Sequence, residues 1–269
     1  MRKRTKNNVS DRAGTENAAA SLVRGLSILR AFTAGDATLG NQELIERTGL
    51  PKATVSRLTA SLMRLGYLHY DEALGRYSIG PATVSLGYTA LSSNPVVQLA
   101  GPLMQELADR TGGAVALGAL DGLEMVYLSN RRSMSPVTLQ LNVGSRLPVW
   151  RTAMGIAYLA ETSPGHSRNL LASLGKADPG NRALMQEKVM AAQKHYAKKG
   201  FVCAFGNWYS YINAVGTAFQ PTDGSPLVAL TCGAIVDIFP KKKCLEEIGP
   251  LLVELKRKLN AMLTGAELP

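Results

Sequence analysis

Few folds accommodate the segment NQELIERTGLPKATVSRLTASLMRLGYL, residues 41–68. Residues 41–48 have the length and polarity of a short helix. Gly49 follows where a left-handed residue closes one. Pro51 stands where an N1 proline opens the next helix, predicted to run to Leu65. Val55, Leu58, Leu62 and Leu65 recur at helical spacing and form its expected inner face, and Gly66 stops it. Two short helices separated by Gly-Leu-Pro can bury one face only by crossing each other. Upstream, Leu22, Leu26 and Leu29, widened by Val23 and Phe32, predict an amphipathic helix over residues 21–32. Downstream, Leu68 and Tyr70, then Tyr77 and Ile79, alternate as paired strands do, around the polar turn DEALGR with Gly75. Helix, helix–turn–helix and hairpin make a winged helix-turn-helix over residues 21–80.

The charge fits a reader of polyanions. The 269-residue chain carries a formal net charge of +10. Residues 1–90 hold 12 Lys/Arg against 7 Asp/Glu, and the remainder 18 against 13, so the first third is the more basic per residue. Residues 1–20, with Arg2, Lys3, Arg4, Lys6 and Arg12 and almost nothing apolar, are expected to be a disordered basic arm. Groove reading asks for small polar and basic side chains on the outer face of the second helix of the pair. Lys52, Thr54, Ser56 and Arg57 supply them. Arg57 is suited to guanine or phosphate and Lys52 to phosphate, while Arg76 and Tyr77 of the hairpin can reach the flanking backbone or minor groove. The expected partner is double-stranded DNA. A protein-interaction domain with a solvated basic face is the competing reading. Ile45, four before the turn glycine where small residues are usual, predicts a somewhat wider helix crossing.

The rest of the chain changes period. A linker helix is expected over residues 81–94, broken by Ser92-Ser93-Asn94-Pro95, and a helix over 96–110 ends at Gly112-Gly113. Residues 114–120 and 124–129 read as strands joined by Asp121-Gly122, and 137–143 as a further strand. Helices are predicted at 152–161, around 167–173 and at 181–199. Strands follow at 201–205, 212–219 and 227–232, then a terminal helix over 243–263. Antiparallel strands with surrounding helices make residues 95–265 an α+β domain.

The stretches around residues 20–80, together with GYTALSSNPVVQLAGPLMQELADRTG and VGSRLPVWRTAMGIAYLA, resemble the IclR family of bacterial transcriptional regulators. The resemblance runs from about residue 20 to 265. It implies a winged helix-turn-helix, a linker helix and a GAF-like effector-binding domain, usually assembled as a dimer or a dimer of dimers on an inverted-repeat operator. It also implies a ligand cavity near Met154 and Gly155. In glyoxylate- or pyruvate-sensing relatives an acidic residue, a cysteine and two serines line that cavity. The matching positions here are Ala204, Ala214, Thr231 and Gly233, and only Thr231 keeps a hydroxyl. Trp208 and Asn213 lie nearby. Lost polar groups and an added aromatic imply an effector larger and less polar than glyoxylate: an aromatic or medium-chain acid, oriented by Asn213 or Thr231.

Other chemistry finds little support. Cys203, Cys232 and Cys244 lack metal-ligand spacing and are odd in number, which suits a reducing compartment. His69, His166 and His195 have no partner spacing. The basic N-terminus leads into no apolar signal segment, and no apolar run approaches the roughly 20 residues a spanning helix needs. No nucleophile set, phosphate loop or dinucleotide fingerprint is present. The expected protein is cytoplasmic, without cofactor, metal or membrane partner, and is not an enzyme. An enzyme with a dispersed site in the α+β domain, and a ligand-free dimerisation platform, remain the alternatives.

Overall fold

The computed structural model describes residues 9–134 and 139–265, and the chain divides into two compact units, residues 1–90 and 91–269. The first unit begins with α1 (Val9–Arg30), which starts well before residue 21. The expectation of a disordered arm is therefore corrected for residues 9–20, which are helical, while residues 1–8 lie outside the described ones. Strand β1 (Leu39–Gly40), α2 (Asn41–Thr48), α3 (Lys52–Arg64), β2 (Leu68–Asp71), β3 (Arg76–Ile79) and α4 (Pro81–Ser92) follow. Ile28, Leu39, Leu44, Val55, Leu58, Leu62 and Leu68 form the core of this unit, with Ile45 packed against it.

Local chemistry explains the boundaries. Gly49 ends α2 at φ +67°, and its N–H donates to the Ile45 carbonyl at 2.8 Å. Pro51 is the N-cap of α3 rather than its first helical residue, one position from the expectation. Leu65 is 66% exposed, against the prediction that it completes the inner face. The helix ends at Arg64 and the chain swings through Gly66 at φ +75°, so helical spacing no longer applies to Leu65. On α1 the buried large apolar side chain among the described residues is Ile28, whereas Leu22, Val23 and Leu26 face solvent. The two-residue β1 was not foreseen. It pairs with β3, giving a three-stranded sheet in the order β1-β3-β2.

The second unit holds α5 (Pro95–Thr111), β4 (Ala114–Asp121), β5 (Glu124–Arg132), β6 (Arg146–Pro148), a 3-10 turn (Val149–Arg151), α6 (Ala153–Glu161), α7 (Pro164–Ala177), α8 (Arg182–Lys199), β7 (Val202–Phe205), β8 (Ile212–Phe219) and β9 (Val228–Ile235). A three-residue turn, α9 (Lys241–Lys243), a π-helical stretch (Cys244–Ile248) and α10 (Gly249–Thr264) complete it. The six strands form one antiparallel sheet in the order β6-β5-β4-β9-β8-β7. One face packs on α5 and α10 through Val115, Leu117, Val215, Leu230 and Cys232. The other packs on α6 and α8 through Ala116, Ala218, Ala229, Met154 and Val189. Strand alternation sorts the two sets, because successive residues point to opposite faces.

Two glycines let α6 sit directly on backbone. A Cβ at Gly155 would lie 2.2 Å from the Val149 carbonyl oxygen, and one at Gly216 of β8 would lie 2.2 Å from that of Ala153. Of the strand predicted over residues 137–143, residues 137 and 138 lie outside the described ones, and no strand is found over the rest. Residues 139–142 carry no strand hydrogen bonding, and β6 forms instead at Arg146–Pro148.

Candidate functional site

The outer face of α3 is built by subtraction. Val55, Leu58, Thr59 and Leu62 are buried, which leaves Lys52, Ser56, Arg57, Ala60 and Arg64 exposed along the opposite side. Thr54 is only half-buried, at the edge of that face. Among the described residues neither Lys52 nor Arg57 has an ion-pair partner, so both cations are available to an outside anion. Arg64, one heptad beyond Arg57, shares the stripe and escaped the sequence reading. Its seven-residue spacing from Arg57 was the available signal.

The hairpin residues behave differently. Arg76 donates from Nε to the Thr38 hydroxyl at 2.8 Å and from Nη2 to the Thr38 carbonyl at 3.1 Å, and pairs with Glu43 at 2.7 Å. It braces β3 against the start of α2. Glu43 also accepts from the Gly40 N–H at 2.7 Å, and that bond, with Arg76, holds its carboxyl below the usual range. Tyr77 is half-buried, its hydroxyl 3.3 Å from that of Thr59 and its ring 4.8 Å from that of Tyr70. Both residues therefore shape the hairpin from within. The hairpin tip is closed by Asp71, which accepts from the N–H groups of Ala73 and Leu74, and by Gly75 at φ +65°. On the far side of α2, Arg47 forms a two-pronged pair with Asp36 at 2.5 and 2.9 Å.

The second unit encloses a cavity between its sheet and the start of α6. The space between these elements, open solvent at its mouth included, is about 580 Å³. Its floor is Ala114, Ala204, Ala214 and Gly233, and its walls include Tyr127, Leu139, Leu141, Leu147, Met154, Trp208 and Thr231. Arg151 is the one charged side chain among the described residues that line it. Its guanidinium lies over the Trp150 ring, 4.7 Å from the centroid, and 3.7 Å from Asp178. Thr152 caps α6 by accepting from the Gly155 N–H at 3.3 Å, and Thr152, Ala153 and Met154 at the helix start line the cavity. Burial pushes the Tyr127 phenol well above its ordinary pKa, so it enters the cavity as a neutral group. The Thr231 hydroxyl donates to the Val215 carbonyl at 2.9 Å and keeps its lone pairs for a ligand.

Of the eight residues expected at the effector site, Met154, Ala204, Trp208, Ala214, Thr231 and Gly233 line the cavity. Two do not. Asn213 is buried on the opposite sheet face, where its Nδ2 donates to the Phe239 carbonyl at 2.8 Å. Adjacent strand residues face opposite ways, so Asn213 cannot share the cavity with Ala214. Gly155 lies against the Val149 backbone and serves packing. The amides that do line the cavity are Asn130 and Asn207. A bulge between Leu117/Gly118 of β4 and Tyr127/Ser129 of β5 adds one residue to β5, which puts Tyr127 and Asn130, three apart, on the same side.

The three cysteines are free thiols, with Cys232 and Cys244 buried and Cys203 half-buried. Among the described residues no cluster of His, Cys, Asp or Glu has the arrangement of a metal site, and no helix is long and apolar enough to cross a membrane.

A basic helix–turn–helix with a β-wing, and an α+β unit enclosing a mainly apolar cavity, define the class: a transcriptional regulator with a DNA-reading domain and an effector-binding domain. The model of the IclR helix-turn-helix domain matches residues 21–72, and that of the bacterial transcriptional regulator IclR C-terminal domain matches residues 88–260. The chain belongs to the IclR family. It is 28% identical over 251 residues to the HTH-type transcriptional regulator TsaQ1/TsaQ2 of Comamonas testosteroni, covering 93% of this chain and 90% of that protein. An IclR family transcriptional regulator from Brucella abortus, known by crystal structure, superposes with a TM-score of 0.82 at 35% identity over 90% of this chain and 91% of that one. An IclR homologue from Microbacterium hydrocarbonoxydans, crystallised in complex with 4-hydroxybenzoate, shares the fold at a TM-score of 0.72 and 20% identity, over 91% and 100% of the two chains.

Proposed function

We propose that this regulator acts in the cytoplasm as a repressor-like homodimer or dimer of dimers on an inverted-repeat operator, released or retained by an acidic effector. The observation that carries the reading is the basic face of α3, Lys52, Ser56, Arg57 and Arg64, whose cations have no ion-pair partner among the described residues, backed by the buried Val55, Leu58 and Leu62. One such face reads a half-site, and a two-fold assembly reads the repeat. Apolar surface supports the assembly. Val84, Leu86 and Tyr88 of α4 are exposed, α4 buries no residue within the chain, and Leu22, Val23 and Leu26 of α1 are exposed as well. The boundaries at residues 80 and 94 divide the chain into reader, linker and sensor on this reading.

The effector is an aromatic or medium-chain acid. Its carboxylate meets Arg151 and the first turn of α6, and its apolar body meets Tyr127, Leu147, Met154 and Trp208. The complex of the Microbacterium homologue with 4-hydroxybenzoate supports an aromatic acid in this fold. Such a ligand shifts DNA affinity only through unequal affinity for two arrangements of the assembly.

Fluorescence anisotropy with operator and random duplexes tests the reading. Arg57→Ala should cost about 1–3 kcal/mol on the operator, and Lys52→Ala should weaken both duplexes alike and lower the salt slope by about one. Equal affinity of the parent protein for both duplexes across moderate salt would refute specific binding.

A further inference from the structure

The six-stranded sheet has two edges, β6 and β7. The β6 edge is guarded: it ends in Pro148, and Arg146 is held by Asp121 and Glu124 at 2.7 and 2.6 Å. Prolines and charges are how an edge is kept from pairing with another chain. The β7 edge, Val202–Phe205, carries neither. Its ladder with β8 fixes which backbone groups remain over. Gly206 N–H donates to the Ile212 carbonyl at 3.0 Å, so two residues at a time along the register, Ala204↔Ala214 and Val202↔Gly216 are the hydrogen-bonded pairs. Cys203 and Phe205 alternate with them, and their N–H and C=O groups point away from β8. No turn, loop or side-chain bond reaches these four groups among the described residues.

An open crevice runs beside this edge. Cys203 and Phe205 line it together with Lys188, Ala192 and His195 of α8 and with Leu245. Its charge has one sign. Lys188 Nζ donates to Asn207 Oδ1 at 3.2 Å, and Lys241 Nζ lies 5.6 Å from the centre of the Phe205 ring. Nε2 of His195 is buried without a hydrogen-bond partner. No carboxylate lines the crevice among the described residues, and the nearby Glu246 is turned to Lys242 at 4.0 Å.

We infer that the β7 edge is a docking site for an extended acidic segment of a partner protein, which joins the sheet as a seventh strand. Main-chain bonds to Cys203 and Phe205 supply the grip, and carboxylates of the segment meet Lys188 and Lys241. The small Ala192 leaves room for a strand beside α8. A second copy of this chain fits less well, because edge-to-edge pairing would bring another Lys188 and Lys241 to a seam that already holds both.

Fluorescence anisotropy on the full-length protein tests it with a labelled probe peptide, Glu-Glu-Val-Thr-Val-Glu, and with Lys-Lys-Val-Thr-Val-Lys. The acidic probe should bind about tenfold more tightly at low salt. Two further forms of it carry methyl groups on alternate backbone nitrogens. One should lose about tenfold and the other little, because only every second N–H of a docked strand faces its neighbour. Cys203→Pro removes an edge-facing N–H and spares the ladder to β8, so it should weaken the probe about tenfold. Lys188→Glu should do the same by charge, and it keeps the test open if the proline variant does not fold. Hydrogen exchange should show residues 202–206 protected when the probe is added. Equal binding of both methylated forms, or affinity untouched by both variants, would overturn the inference. So would protection confined to α3, whose basic face also attracts anions, or no binding at about 1 mM probe. A fall in the mass of the assembly on sedimentation of Cys203→Pro would give the edge to a second copy and overturn the acidic partner.

Discussion

Replacing Gly155 by alanine tests how α6 is seated. A Cβ there would stand 2.2 Å from the Val149 carbonyl oxygen, 2.5 Å from its Cα and 2.6 Å from its carbonyl carbon. Ordinary contact begins near 3.4 Å, so the helix start and the 3-10 turn must part by roughly 1 Å, and the opposing atoms are backbone that no rotamer change can clear. Overpacking of this kind costs about 1–3 kcal/mol, and the rigid partner places it near the upper end. Alanine's better helix propensity returns up to about 1 kcal/mol. The net loss is about 2 kcal/mol, which in a domain of this size lowers the melting temperature by about 4–8 °C. Differential scanning calorimetry of the full chain reads it. Gly165→Ala in α7 is the control, because a Cβ there meets nothing within 4 Å, and it should melt at or slightly above the parent temperature. If Gly155→Ala melts with the parent, the close seating of α6 on Val149 is refuted.

Asn213→Ala should cost about 1–3 kcal/mol by leaving the Phe239 carbonyl only the weak Cys244 thiol donor, yet leave effector affinity unchanged; lost binding at unchanged stability would reverse the assignment of its side chain. Asp36 is held well below the ordinary value of 3.8, chiefly by its hydrogen bond from Arg47 and then by Thr33. A carboxyl lowered on folding stabilises the native state above its unfolded pKa and loses that contribution as pH falls. The melting temperature of the N-terminal unit should therefore drop below about pH 4 in the parent protein, and less steeply in Asp36→Asn; parallel acid profiles would refute the role of the pair. Burial pushes the Cys203 and Cys232 thiols up to about 12 and that of Cys244 up to about 11. Native protein should thus resist iodoacetamide at pH 8 and release three reactive thiols on unfolding, and one rapidly labelled native thiol would contradict this.

The reading domain was legible because its signals are local. Gly49, Pro51 and Gly66 set the turns, and Val55, Leu58 and Leu62 fall on one helical face within a short window. The cavity was legible only in part, since a pocket wall is assembled from residues far apart in the chain. The alternation at residues 137–143 misled because Leu139 and Leu141 both turn into the cavity, which produces a strand-like period without a strand. Asn130 stayed hidden behind the bulge, which shifts the face assignment of β5 by one residue. No pattern in a single chain marks that shift. Asn213 was the avoidable error, because it sits beside Ala214 on one strand. Only the fold shows that the guanidinium of Arg76, expected to reach DNA, also pairs with Thr38 and Glu43.

The cavity floor limits how this sensor can change its taste. Ala114, Ala204, Ala214 and Gly233 have almost nothing left to trim, and a methyl group added at Gly233 would already press within 3.3 Å of the Ala214 side chain. Substitutions in the floor can therefore only shrink the accepted ligand. Any enlargement has to come from the rim, where Trp208, Met154, Leu139 and Leu141 still carry volume to give up. Laboratory evolution of this protein toward bulkier inducers should accumulate its changes there and leave the floor untouched.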